Sequence, residues 1–174
     1  YVTDLGSDTV SVIGETTFAL YKVYAVIDTI NVGAHPDAIA YDPSNGYLYV
    51  ADNGSGTVSV INENNAVIDT IPVGSSPDGI AYDPSNGYLY VANWGSNTVS
   101  VIDGETNTVI ENINVGAHPV GVAYDPSNGY IYVANYGSNT VSVINGETNT
   151  VIENIPVGKW PVGVAYDSGN GYIY

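Results

Sequence analysis

The sequence contains no cysteine, no methionine and no arginine, and its two lysines face 18 aspartates and glutamates. A formal net charge of −16 repels nucleic acid and anionic lipid, so we expect no nucleic-acid partner. Without cysteine the chain can form neither disulfides nor thiolate metal sites. No apolar run approaches the ~20 residues needed to span a bilayer, so we predict no membrane insertion.

The N-terminus also lacks the basic and then apolar pattern of a signal peptide. If the protein is secreted, we expect this sequence to be a mature or excised piece. In contrast, 20 glycines, 9 prolines and 16 tyrosines are present, with an ordinary hydrophobic content of 44%. This composition predicts a folded globular chain that is rich in turns.

An internal repeat accounts for the whole chain. Tyr-Val-Thr-Asp at 1–4 returns as Tyr-Val-Ala-Asp at 49–52 and as Tyr-Val-Ala-Asn at 90–93 and 132–135. A period near 42 residues is typical of propellers and other repeat arrays. We therefore interpret the chain as one domain, 1–174, made of four repeat units: 1–48, 49–89, 90–131 and 132–173.

Each unit alternates apolar and polar residues with the period of β-strands, and β-branched and aromatic residues dominate. The third unit predicts four strands: A over 79–82, B over 88–93, C over 98–103 and D over 108–115. Asp-Pro-Ser-Asn-Gly at 83–87 is typical of a tight A-to-B turn, whose aspartate caps its own loop. Four antiparallel strands per repeat make one propeller blade, so the predicted fold class is all-β.

The phrase Tyr-Val-Ala-Asn-x-Gly-Ser-Asn-Thr-Val-Ser-Val-Ile, at 90–102 and 132–144, resembles the consensus of the YVTN family of β-propeller repeats. That family occurs in archaeal and bacterial surface-layer and cell-surface proteins. The resemblance implies a β-propeller and an extracellular or cell-surface location. Because propellers host many functions, it implies little about chemistry.

Both ends of the sequence fall within a blade. Residues 1–13 bring strands B and C without a strand A, whereas 162–174 bring strand A and part of B. Open strand edges favour pairing, so we expect the terminal strands to complete one mixed blade, within the chain or with a second copy. The alternatives are a closed four-bladed ring, an eight-bladed dimer, a strand-exchanged fibre and a part of a larger propeller.

Two loop positions vary from unit to unit, in contrast to the repeated framework. The B-to-C and D-to-A loops emerge on one face of a propeller, so their variable residues predict a candidate binding surface around the channel mouth. Neutral drift explains the variation equally well. The eight residues are Leu5, Asn53, Trp94 and Tyr136 after the Tyr-Val phrase, and His35, Ser76, His118 and Trp160 before the interblade prolines.

The sequence offers little for catalysis or cofactors. His35 and His118, with Asp37 and Asp78 nearby, could hold a divalent metal, but serine and tryptophan occupy the histidine position in the other units. No nucleophile motif accompanies either histidine. We therefore predict no catalytic residues, no metal and no cofactor.

Unit one carries six extra residues within 14–24, which predicts an extended C-to-D hairpin.

The sequence is compatible with three functions for the chain as a whole. The leading hypothesis is a non-enzymatic extracellular or cell-surface module that is structural, adhesive or protein-binding, with surface proteins or glycans as possible partners and self-association through the terminal strands. The alternatives are a glycan- or small-ligand-binding propeller and an enzyme with a channel metal or redox cofactor.

Overall fold

The computed structural model describes residues 1–18 and 21–174, and its regular structure is β-strand. We label the blades I to V along the chain and the strands of a complete blade A to D. The strands are β1 (Val2–Asp4), β2 (Thr9–Phe18) and β3 (Tyr21–Asn31) in blade I; β4 (Pro36–Asp42), β5 (Tyr47–Asp52), β6 (Thr57–Ile61) and β7 (Val67–Pro72) in II; β8 (Pro77–Asp83), β9 (Tyr88–Asn93), β10 (Thr98–Asp103) and β11 (Thr108–Asn114) in III; β12 (Pro119–Asp125), β13 (Tyr130–Asn135), β14 (Thr140–Asn145) and β15 (Thr150–Pro156) in IV; and β16 (Tyr166–Asp167) and β17 (Tyr172–Ile173) in V.

Blades II, III and IV are four-stranded antiparallel sheets in the order A-B-C-D, so the predicted propeller blades are confirmed. In blade III strands B and C have the predicted bounds, and strand D ends one residue earlier than predicted. Strand A begins at Pro77 rather than at 79, because a register shift between Pro77 and Ile80 lets the strand continue past an irregular step.

The core lies between blades rather than within them. Tyr49, Val58 and Val60 of blade II pack against Leu89 and Val91 of blade III, and equivalent clusters fill the contacts of I with II and of III with IV. We call each such contact between neighbouring blades a seam. Each fully buried aliphatic side chain contributes about 1.5–3 kcal/mol, so the seams supply most of the apolar stabilisation.

The A-to-B turns are built as predicted. Asp83 Oδ1 accepts hydrogen bonds from the backbone N–H and the hydroxyl of Ser85, at 2.8 and 2.6 Å, and Gly87 takes a φ of 78°. Asp42 and Asp125 cap their turns in the same way. The carboxylates therefore order their own loops, which is the structural role predicted for them.

The predicted extended hairpin is present in blade I. Strands β2 and β3 pair from Thr9–Asn31 outward to Phe18–Tyr21, well beyond the length of the other C and D strands. Lys22 forms an ion pair of 2.7 Å with Glu15 across this extension. Residues 19–20 of the predicted extension lie outside the described residues.

The mixed blade is not formed within a single chain. Blade I is a three-stranded sheet and β16–β17 is a separate two-stranded sheet, with no pairing between them in the described part of the chain. Tyr172 remains 65% exposed, whereas the equivalent Tyr88 packs on the III/IV core. The physical reason is that each blade packs on the next blade along the chain, so that blades I and V lie at opposite ends of the row. Pairing between two copies stays a prediction, which light scattering across a concentration series tests.

Candidate functional site

The eight variable residues lie on the surface formed by the B-to-C and D-to-A loops, which we call the loop face. Within a blade the two loops are joined by backbone hydrogen bonds of 2.9 Å. Trp94 N–H donates to Ser76 O, and Tyr136 N–H donates to His118 O, in the same way as Asn53 donates to His35. The structure thus joins six of the eight residues in pairs, each within one blade.

Four of the eight residues also form two aromatic pairs across seams. The indole of Trp94 lies parallel to the imidazole of His118 in the next blade, with ring centroids 4.2 Å apart and planes 18° apart. The rings of Tyr136 and Trp160 stack across the following seam at 6.4 Å and 19°. His118 Nδ1 also lies 3.2 Å from the Trp94 carbonyl oxygen, which fixes the imidazole against the loop.

These aromatic rings remain accessible. Trp94 is 40% exposed, Tyr136 37% and Trp160 64%. Stacked pairs gain about 0.5–1.5 kcal/mol beyond their area burial and hold both rings in place. The two stacks therefore form a preorganised apolar ridge over the seams of blades III, IV and V.

The backbone before each interblade proline is held in a left-handed conformation. His35, Ser76, His118 and Trp160 have φ values of 51–57°, a region that non-glycine residues rarely adopt. Side chains of the preceding blade hold three of them. Asp8, Asn97 and Asn139 each accept the backbone N–H of His35, His118 and Trp160, respectively, at 2.8 Å.

Acidic residues lie at the loop-face end of the inner strands of blades II and III. Asp37 and Asp78 directly follow the interblade prolines of blades II and III, where Val120 and Val162 stand in blades IV and V. Burial, together with the negative charge of Asp37, raises the pKa of Asp78 to about 6. The face is thus acidic over blades II and III and aromatic over the seams that follow.

The two histidines weighed as metal ligands lie in different seams. His35 belongs to the I/II seam and His118 to the III/IV seam, where it stacks on Trp94. Within residues 1–18 and 21–174 no three His, Asp or Glu side chains come together as a metal-binding group.

The opposite face carries contacts that repeat from blade to blade. Tyr49 donates its hydroxyl proton to Asn107 Oδ1 of the next blade at 2.9 Å, and Tyr90 donates to Asn149 Oδ1 at 2.8 Å. Burial raises the pKa of both tyrosines to about 12. Since these contacts recur with the fold, they hold neighbouring blades together, and the variable chemistry lies on the loop face.

Sequence reasoning predicted that the eight residues share one face but missed the two aromatic stacks across the seams. It also missed Asp8, Asn97 and Asn139, which hold the left-handed residues. One signal could have found them: Asp or Asn stands 21 to 27 residues before three of the four interblade loop residues.

The fold and the repeated blades define a β-propeller repeat protein. A model of the NHL repeat, a β-propeller-type repeat related to YVTN, matches residues 117–144. A propeller fold of this type supports a protein-interaction module. No match was found among curated protein sequences.

Two solved structures show the same architecture. Hydrazine synthase from Kuenenia stuttgartiensis matches with a TM-score of 0.73 and 27% identity, over 78% of this chain and 40% of that one. A functionally unknown protein from Desulfotomaculum acetoxidans matches with a TM-score of 0.79 and 17% identity, over 97% of this chain and 56% of that one. The present chain therefore spans less than two thirds of the length of either structure.

The described residues contain no helix with the length and hydropathy of a membrane span.

Proposed function

We propose that this chain is a non-enzymatic protein-interaction module of an extracellular or cell-surface protein, and that its contact surface is the loop face. The observation that carries the proposal is the pair of exposed stacks, Trp94 with His118 and Tyr136 with Trp160. Rings that are already ordered lose little conformational entropy on binding. Tryptophan and tyrosine are also the residues that dominate the energetics of many interfaces.

The extracellular or cell-surface part of the proposal is supported by the resemblance to surface-layer repeats and by the charge of −16, which favours solubility in a cation-rich medium. Immunolabelling of intact and permeabilised source cells tests it. Labelling that requires permeabilisation contradicts it.

The chain offers its own conservative variants for testing the contact surface. Asn53 and Ser76 occupy the positions of Trp94 and His118 in the II/III seam, so W94N/H118S converts one seam into another native one. Y136N/W160S does the same for the second stack. Both variants should therefore fold, and circular dichroism and thermal unfolding verify this.

A displayed random-peptide library, selected on the wild-type protein, provides the binding assay. We expect enriched peptides to lose binding to both seam variants and to keep binding to Y21S/Y24S, which removes tyrosines that are 75% and 78% exposed on the hairpin of blade I. Enriched peptides that bind the seam variants as well as they bind the wild type contradict the proposal.

Elemental analysis and an absorption spectrum test the non-enzymatic part of the proposal. A stoichiometric metal or chromophore would contradict that part.

Glycan binding is the second candidate, favoured by the exposed rings of Trp94, Tyr136 and Trp160, on which sugar rings can stack. A glycan array probed with the wild type and Y136N/W160S tests it. A signal that is absent, or that is equal in both proteins, rejects it.

A further inference from the structure

We infer that the partner of the loop face is a cationic polypeptide segment, whose basic side chains lie over Asp37 and Asp78 and whose apolar or aromatic side chain lies on the ridge of stacked rings. This inference rests on the proposed function and names the partner's chemistry. It follows from the uneven distribution of charge and aromatic rings along one face.

The acidic end of the loop face, at Asp37 and Asp78, favours a cationic group of the partner. Asp37 and Asp78 start the inner strands of adjacent blades, and their charges repel each other across the II/III seam. Lys22 lies on the outer hairpin and pairs with Glu15, so it does not neutralise this acidic pair. A Lys or Arg side chain placed here relieves the repulsion between the carboxylates and gains hydrogen bonds to them.

The aromatic end of the loop face favours an apolar group of the partner. The position of the two aspartates is taken by Val120 and Val162 in the next blades, and the seams there carry the Trp94 and Tyr136 stacks. The exposed Lys159, which precedes Trp160, repels a basic side chain at this end. The face therefore orients its partner, with basic residues towards blades II and III.

A polypeptide fits these requirements better than a small ligand, because the two chemistries lie on different blades. The acidic pair belongs to blades II and III, whereas the stacks cover the III/IV and IV/V seams. An extended segment advances ~3.3 Å per residue and carries charged and apolar side chains in a fixed order. The charge complementarity of the face selects a basic segment.

Three fluorescent peptides of about 12 residues, ~40 Å when extended, provide defined probes. The first has lysine and arginine in one half and tryptophan and leucine in the other. The second replaces the basic residues with glutamate, and the third replaces the apolar residues with serine. In fluorescence polarisation titrations of the 174-residue protein, we expect the first peptide to bind at least about tenfold more tightly than either of the others.

D37N/D78N should weaken binding of the first peptide about tenfold and flatten its dependence on salt between roughly 50 and 300 mM. D69N/E111Q is the matched control, because it removes two exposed acidic groups from outer strands and leaves the loop face intact. An equal loss in both variants indicates bulk electrostatics and overturns the inference. Equal binding of the glutamate peptide also overturns it.

If library-selected peptides depend on the Trp94 and Tyr136 seams but are not basic, the protein-interaction function stands and the cationic partner is rejected. If selected peptides bind independently of both seams, the proposed contact surface itself is rejected.

Discussion

Asn93 donates a hydrogen bond of 2.9 Å to Ser100, whereas the equivalent Asp52 accepts one of 2.7 Å from Ser59. The direction of this buried hydrogen bond determines to which group the serine hydroxyl donates. The Ser100 hydroxyl in turn donates a hydrogen bond of 2.7 Å to Asn112 Oδ1. Blades I and II, which carry Asp4 and Asp52, have threonine at the position of Asn112, and blades III and IV have asparagine there.

This network predicts that Asn93→Asp destabilises the protein by about 1–3 kcal/mol, because a buried carboxylate replaces an amide and accepts the hydrogen bond that the Ser100 hydroxyl otherwise donates to Asn112. Adding Asn112→Thr reproduces the natural combination of blade II and should restore part of the loss. Chemical denaturation of both single variants and the double variant measures the coupling. Strict additivity of the two effects contradicts the network.

Much of this architecture could be predicted because its signals are local. Alternation with period two predicted strands β9 and β10 to the residue, and the Asp-Pro-Ser-Asn-Gly turn is capped as expected. Contacts across seams, such as Trp94 with His118, depend on the rotation between blades. That rotation results from packing of many side chains, so no short pattern encodes it. Whether the terminal strands meet depends on the same rotation, which is why the sequence left four arrangements of the termini open.

The contacts of the face opposite the loop face predict unequal effects of the same substitution. Tyr90→Phe removes a hydroxyl that donates to Asn149 of the next blade and should cost about 1–2 kcal/mol. Tyr132 is the equivalent residue of blade IV, and its hydroxyl accepts from Asn128 of its own blade at 3.1 Å. Tyr132→Phe should therefore cost less. Thermal unfolding of both variants compares them, and equal losses would show that the hydroxyl bond between blades adds no stability.

The Asp78 carboxyl predicts a pH dependence of stability. Its pKa is raised from 3.8 to about 6, first by burial and then by Asp37. Between these values the folded state binds more protons than the unfolded state, so this group makes stability fall as pH rises from about 4 to about 6. Of the other carboxylates on the packed strands β4, β5 and β12, Asp42 and Asp125 sit in turns at the opposite end and Asp52 is held by Ser59.

Asp78→Asn removes the ionised form and should raise the free energy of unfolding at pH 7 by roughly 1–2 kcal/mol, with little change at pH 4. Asp37→Asn should give a smaller gain, because Asp37 is exposed and acts mainly through its repulsion of Asp78. Urea titrations at both pH values measure these differences. A gain at pH 4 as large as the gain at pH 7 would trace the effect to packing instead of ionisation.

Gly56 stands where Asn97 and Asn139 hold the following loop, and it already has a φ of 67°, close to the 58° and 56° of these asparagines. A Cβ added at Gly56 would meet Gly74 O at 3.6 Å, an ordinary van der Waals distance. Gly56→Asn should therefore place an acceptor for the Ser76 N–H, as Asn97 does for His118. Asparagine also tolerates the left-handed region better than most residues do. We expect the free energy of unfolding, measured by thermal unfolding, to rise by about 0.5–1 kcal/mol. Gly56→Ala is the control: it lacks the acceptor and tolerates the left-handed conformation less well than asparagine, so it should be less stable than the wild type. If alanine stabilises the protein as much as asparagine does, the gain comes from the unfolded chain and the side-chain hydrogen bond contributes nothing.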